Sequence, residues 1–306
     1  MITSKCMQPI EGPMAWRANE AANDAPIPLD EACLRELADD GAPLSACQAL
    51  ADRVRTILDD GLGYAVVEGF PLDGLDDDAV RERFRRFAAL VARPVEQNYA
   101  GRMVWEVRDT GQVPTPGSGI RASQSNLGQQ FHTDNLCGVP PDYVALLCLQ
   151  PAMEGGESGL ISFDAVHNHL LAERPEVLDR LYQPFYIDRQ RDHAPDDEPV
   201  IFEPVFTYDG ETLKARFCPF QIRQGYALVE DDLDEAGEAA IEAMNQVMAT
   251  PGLDRTFDFQ RGQVQFVNNR RIGHRRTGYA DWPEPEKKRH LVRLWLRDTG
   301  DARYMG

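Results

Sequence analysis

Apolar positions first recur at helical spacing. Leu50, Val54, Ile57 and Leu58 share one face ahead of the turn residues Asp59-Asp60-Gly61, which predicts a helix over 44–59 packed by one side. Residues 63–70 are short, β-rich and bounded by glycine, the signature of a strand. A second helix follows, with Val80, Phe84, Phe87 and Val91 aligned and Pro94 ending it. Beyond residue 97 the pattern changes. Short apolar runs at 103–107, 143–149, 160–163, 200–207, 213–217, 264–267 and 291–296 alternate with Gly and Pro turns, which predicts a β-sandwich or barrel core. Helical patterns interrupt the series at 164–171, 175–182 and 233–248, the last with Leu233, Ala236, Ala240, Met244 and Val247 on one face. The expected architecture is mainly β with flanking helices, in a single domain over 1–306. Within it, an arm over 1–43 carries one short helix near 29–37, a helix-strand-helix support covers 44–96, and the β core runs over 97–298 with a helical insert around 164–250.

Composition fits a packed core and excludes some partners. Of the 306 residues 42% are hydrophobic, yet no apolar run approaches the ~18 residues needed to cross a bilayer, so no membrane partner is expected. Lys plus Arg number 32 against 50 Asp plus Glu, a formal net charge of −18 that repels phosphate backbones and argues against nucleic acid. Acidic clusters at Asp76-Asp77-Asp78 and Glu230-Asp231-Asp232 suit helix N-termini, where the dipole favours negative charge. The N-terminus, Met1 to Cys6, lacks a charged-then-apolar leader, so a cytoplasmic address is expected. Cys6, Cys33, Cys47, Cys137, Cys148 and Cys218 form no C-x-x-C pair and are expected to be free thiols, with Cys137 a small packing residue.

The chemistry concentrates in two distant segments. His132 and Asp134, in Gln129-Gln130-Phe131-His132-Thr133-Asp134-Asn135, lie two apart, and on an extended backbone such residues point to one side. Alone this is weak: with acids at about one residue in six, six histidines give on the order of one such pair by chance. His274 supplies company. Two histidines and one carboxylate form the set that holds non-heme Fe(II) on one face with other positions open, whereas a structural zinc site closes its shell with four ligands. Downstream, residues 289–297 alternate like a strand, with Arg289, Leu291, Arg293 and Trp295 on one face and His290, Val292, Leu294 and Leu296 on the other. Arginine inside a β core needs an anionic partner, and its planar fork suits a carboxylate such as that of a dicarboxylate cosubstrate.

On these residues the chain resembles the taurine dioxygenase and clavaminate synthase-like family of Fe(II)/2-oxoglutarate-dependent oxygenases. The likeness extends from about Tyr64 to Arg297, and His132, Asp134, His274 and Arg289 match the family's ordered H-x-D/E, distal His and Arg. It implies a double-stranded β-helix (jelly-roll) core, Fe(II) on the first three residues, and 2-oxoglutarate and O2 as cosubstrates. Hydroxylation of a small-molecule C–H bond, with release of succinate and CO2, is the implied outcome; desaturation and cyclisation share the same iron site, and a silent metal-binding relative is the alternative outside catalysis. Halogenating relatives vacate the carboxylate position, which here holds Asp134. Gly155-Gly156-Glu157-Ser158 corresponds to the family's G-G-x-T, which implies that Ser158 joins Arg289 at the far carboxylate of 2-oxoglutarate. Arg293, four residues after Arg289, either faces the substrate or pairs with a protein carboxylate. Asn126 and Gln129, just ahead of H-x-D, are further substrate candidates. Substrate identity and oligomeric state are not legible.

Other tempting residues have plainer readings. His167 and His169 sit two apart in a helical pattern and so diverge. His193 falls in a polar loop, either a lid or plain surface. The basic run Arg270, Arg271, Arg275 and Arg276 near His274 either attracts anions or offsets nearby acids.

Overall fold

The period-two alternation of the β segments sorts their side chains between two sheets. The structure is a computed structural model that describes residues 4–18, 25–39, 41–115 and 118–305; parts of the expected arm over 1–43 lie outside them. The larger sheet runs Ile27–Pro28, Tyr64–Glu68, Val264–Asn268, Tyr143–Gln150, His290–Arg297, Arg93–Val95, with Trp105–Val107 also paired to His290–Arg297. The smaller runs Asp254–Phe257, Ser158–Ser162, Ile272–Arg276, Gln129–His132, antiparallel throughout. The sheets meet across an apolar cluster in which Tyr64, Val144, Val267 and Trp295 of the first pack with Leu160 and Ile272 of the second. The alternate residues face outward. On the large sheet Ala145, Phe266, Val292 and Leu294 pack against helices Ser45–Asp60 and Asp77–Val91. On the small sheet Phe131 and Ile161 pack against helices Phe163–Glu173, Pro175–Leu181 and Glu235–Met248. The order is helices, sheet, sheet, helices.

Local chemistry sets the helix ends. Asp76 accepts from the Ala79 N–H at 2.8 Å and caps Asp77–Val91, as its acidic cluster suggested. The second acidic cluster behaves differently: Asp234 is the cap of Glu235–Met248, so Glu230 to Asp232, and Leu233 with them, lie in the preceding turn. One helix, Pro219–Leu228, gives no clear pattern in the sequence because Gln221 and Gly225 occupy buried positions in it. That glycine is required by a close approach: a Cβ on Gly225 would lie 2.4 Å from the Tyr186 carbonyl oxygen of strand Pro184–Asp188.

The cysteine expectation is corrected. Cys33 and Cys47 form a disulfide, because helices Glu31–Ala38 and Ser45–Asp60 pack side by side and bring the two Cα atoms to 4.7 Å. A separation of 14 residues across a helix-helix turn carries no C-x-x-C signal. Cys6, Cys137, Cys148 and Cys218 are free. No helix among the described residues is long and apolar enough to cross a membrane.

Candidate metal centre

Residues 132 and 274 are direct partners across antiparallel strands, so their side chains share the inward face, ring centroids 4.3 Å apart. The His132 Nδ1–H donates to the Gln130 carbonyl at 2.9 Å, which leaves Nε2 as the lone-pair nitrogen facing the centre. Strand Gln129–His132 ends there, and Asp134 follows on irregular backbone. Its position is held from far along the chain. Asn269 accepts from the Asp134 N–H at 2.7 Å and donates to the Asp134 carbonyl at 2.9 Å and to the Pro141 carbonyl at 3.2 Å.

The two oxygens of Asp134 have different surroundings. Oδ2 accepts from Trp295 Nε1 at 2.8 Å and lies 3.0 Å from Arg293 Nη1. Oδ1 lies 3.6 Å from both His132 Nε2 and His274 Nε2. One ligand atom from each of the three buried residues falls within 4.8 Å of the others. Burial alone would raise the Asp134 carboxyl, but the Arg293 guanidinium and the two imidazoles hold it well below the usual carboxylate range. Burial, then the neighbouring His132, lowers His274, which keeps it a neutral donor. An ionised Asp134 carboxylate and a neutral His274 imidazole converging in a buried site are protonation states that a divalent metal requires.

A cavity of about 350 Å³ opens beside this cluster. Gln129 lines it and donates from Nε2 to His132 Nε2 at 2.8 Å; Asn126 is exposed and is not part of its wall. Arg293 lines it too, but the guanidinium is committed to Asp134 and, through Nε, to Gln97 Oε1 at 2.9 Å, which realises the protein-carboxylate reading of that residue. Only its Nη2 is buried without a partner. Arg121, which no motif marks, also lines the wall; it stacks 4.6 Å over the Trp105 ring, pairs with Asp192, and is pushed down to about 10 by burial and by Arg293.

Arg289 and Ser158 lie elsewhere in the layer between the sheets. Arg289 is buried and stacks 5.0 Å over Tyr279, while Arg276 stacks 4.9 Å over the same ring. It lines a second cavity, of about 220 Å³, with Gly156, Cys148 and Leu291. Gly156 has φ +75°, and a Cβ there would come within 3.1 Å of Arg289 Nε, so glycine is needed on both counts. Two residues on, the Ser158 hydroxyl donates to Gln265 Oε1 at 2.9 Å. Arg289 Nη1 and Gln265 Nε2 are each buried donors without a partner, and the cavity beside Arg289 is also lined by Glu154 and Asp258.

The remaining candidates behave as structural groups. His167 is buried against the Cys6 carbonyl and the Tyr182 hydroxyl, and His169 pairs with Glu173 at 3.0 Å. In the basic run Arg271 pairs with Asp164 and Arg275 with Asp254, whereas Arg276 turns inward. Sequence reasoning passed over Asn269, Gln265 and Arg121, and gave Trp295 a face without a role. The clamp that Asn269 makes on Asp134 spans 135 residues, and no local spacing signals it.

Comparison with known proteins gives a consistent set. The sequence profile of a family described as "Taurine catabolism dioxygenase TauD, TfdA family" matches residues 28–295. FR-33289 synthase from Streptomyces rubellomurinus is 28% identical over 257 residues, 83% of this chain and 74% of that protein. A taurine hydroxylase-like protein, SAT17, from Stachybotrys chartarum is 30% identical over 171 residues, 55% of this chain and 42% of its own. Among solved structures, an asparagine oxygenase in complex with Fe(II), 2S,3S-3-hydroxyasparagine and succinate has a TM-score of 0.67 at 18% identity, covering 89% of this chain and 93% of its own. The non-heme iron oxygenase OrfP in complex with Fe and alpha-ketoglutaric acid has a TM-score of 0.63 at 16% identity, covering 90% and 95%.

Proposed function

This chain belongs to the TauD, TfdA family of dioxygenases and is a non-heme Fe(II)/2-oxoglutarate-dependent oxygenase, and on that premise we propose that His132, Asp134 and His274 hold the iron while Arg289 and Ser158 receive the far carboxylate of 2-oxoglutarate. The two packed sheets are then read as the strands of a double-stranded β-helix, with both sets of ligands in the layer between them. Bound Fe(II), with 2-oxoglutarate and O2, supplies the oxidant that hydroxylates a substrate C–H bond as succinate and CO2 are released.

The observation that carries the reading is the division of labour in the Asp134 carboxylate. Trp295 and Arg293 occupy Oδ2, so Oδ1 alone faces the two imidazole Nε2 atoms, and three protein ligands leave other positions open. Gln130 fixes the His132 tautomer that leaves Nε2 as donor. Gln129 hydrogen-bonds that same nitrogen and must swing aside on loading. The substrate is read as a small molecule received in the cavity beside the metal ligands, whose lining guanidinium groups Arg121, Arg189 and Arg293 are already paired with Asp192, Asp197 and Asp134. The hydroxyasparagine held by the asparagine oxygenase neighbour supports a ligand of amino-acid size.

Anaerobic addition of Fe(II) and 2-oxoglutarate is expected to give the weak visible absorption of their chelate in wild type and none in His132→Ala. No band in wild type, or an undiminished band in the variant, overturns the assignment.

A further inference from the structure

The assignment of Ser158 leaves a difficulty of polarity. A serine has one O–H, and Ser158 spends it on Gln265 Oε1, so toward an incoming carboxylate it presents only lone pairs. An anion needs donors. Gln265 holds the remedy: its side chain is fully buried, its carbonyl end is paired with Ser158, and its amide Nε2 has no partner. The residue lies on the inward face of the large sheet, in register with Leu146 and, one strand further, with Arg293. Arg289 approaches the same strand region, since its Nε lies against Gly156, two residues before Ser158.

The two ends of a carboxamide are nearly equal in size, so a half-turn of the amide costs little packing. After that turn Nε2 donates to Ser158 Oγ, and the serine proton is released to point at the anion. A buried N–H without a partner is thereby exchanged for an under-satisfied carbonyl oxygen, the more readily tolerated of the two. Resting on the reading of Arg289 and Ser158 above, we infer that Gln265 is a positioning residue for 2-oxoglutarate: its amide sets which way the Ser158 hydroxyl donates, and turns over when the far carboxylate binds.

The test is anaerobic titration of the Fe(II)-loaded protein with 2-oxoglutarate, followed by the visible band, in wild type, Gln265→Leu, Ser158→Ala and the double variant. Gln265→Leu is expected to weaken binding about fivefold, because the Ser158 hydroxyl loses the amide N–H that orients and polarises it toward the anion, and Ser158→Ala about twentyfold, the loss of a hydrogen bond to a charged group. Because Gln265 acts through Ser158, the double variant is expected to match Ser158→Ala rather than show the product of the two losses. A parallel titration with 2-oxobutyrate, which lacks the far carboxylate, is expected to give the same affinity in wild type and Gln265→Leu; a general packing defect would lower both. Wild-type affinity for 2-oxoglutarate in Gln265→Leu, multiplicative losses in the double variant, or equal losses with 2-oxobutyrate overturns the role of Gln265 and leaves the iron and cosubstrate sites standing. Wild type that binds no 2-oxoglutarate overturns both.

Discussion

On strand Val264–Asn268, Val264 and Phe266 turn toward the helices while Gln265 and Val267 turn toward the small sheet; on His290–Arg297, Val292, Leu294 and Leu296 go one way and Leu291, Arg293 and Trp295 the other. The outward face is almost wholly apolar and is held by burial. The inward face is as well buried but carries two guanidinium groups and an amide with donors unpaired, Arg289, Arg293 and Gln265. Unpaired buried donors each cost about 1–3 kcal/mol, so this face gives up stability that the other supplies. The contrast separates a face that only packs from one where packing residues such as Val144, Val267 and Ile272 share the layer with the proposed binding residues.

The largest effect expected on either side is on the inner one. His274→Ala removes a metal ligand, and 2-oxoglutarate turnover is expected to fall by about three orders of magnitude or more, measured as succinate release. Stability is expected to change by less than about 1.5 kcal/mol, since the ring nitrogen Nδ1 is already buried without a partner. A collapse of the fold in this variant would erase the contrast. The matching outer change, Phe266→Ala, empties a position packed against Phe87 and is expected to cost about 3–5 kcal/mol in urea unfolding, with unchanged iron content per folded molecule.

Asn269→Ala tests the boundary between the two. Asn269 is not one of the three metal-holding residues; it holds the backbone of Asp134. Iron affinity is expected to weaken about tenfold, by metal titration with a competing chelator, with His132 and His274 untouched. An affinity equal to wild type would mean that Asp134 is held by Trp295 and Arg293 alone.

Legibility divides along the same line. The helices of the outer layers and the alternating strands were readable because burial imposes period 3.6 or period two on adjacent residues. His132, Asp134 and His274 were readable because metal chemistry restricts residue type. The Cys33–Cys47 bond, the Asn269 clamp, the Trp295 hydrogen bond to Asp134 and the Ser158–Gln265 pair were not, because each joins residues through tertiary folding with no spacing rule between them. Arg293 shows the intermediate case: alternation placed it inside, but its partner was visible only in three dimensions.

One polar group sits on the outer side of this division and gives the smallest effect. Glu106, on strand Trp105–Val107, is paired with Arg81 of helix Asp77–Val91 at 2.7 Å and with His290. Burial would raise its carboxyl, but His290 and Arg81 outweigh it and hold the group down to about 2. An unfolded glutamate titrates near ~4.3, so the folded state prefers the ionised form; the resulting stability is fully present above that value and is lost as pH falls toward 2. The full shift is worth about 3 kcal/mol, and partial solvent exposure reduces it to about 1–2. Glu106→Gln is therefore expected to lower unfolding stability by that amount at pH 7, with the gap to wild type narrowing below pH ~4. Iron affinity is expected to stay the same, because Glu106 and its partners lie outside the cavity beside the metal ligands. A gap that stays constant with pH would show that the carboxylate's charge contributes nothing, and a fall in iron affinity would show that the two faces of the sheet are not energetically separate.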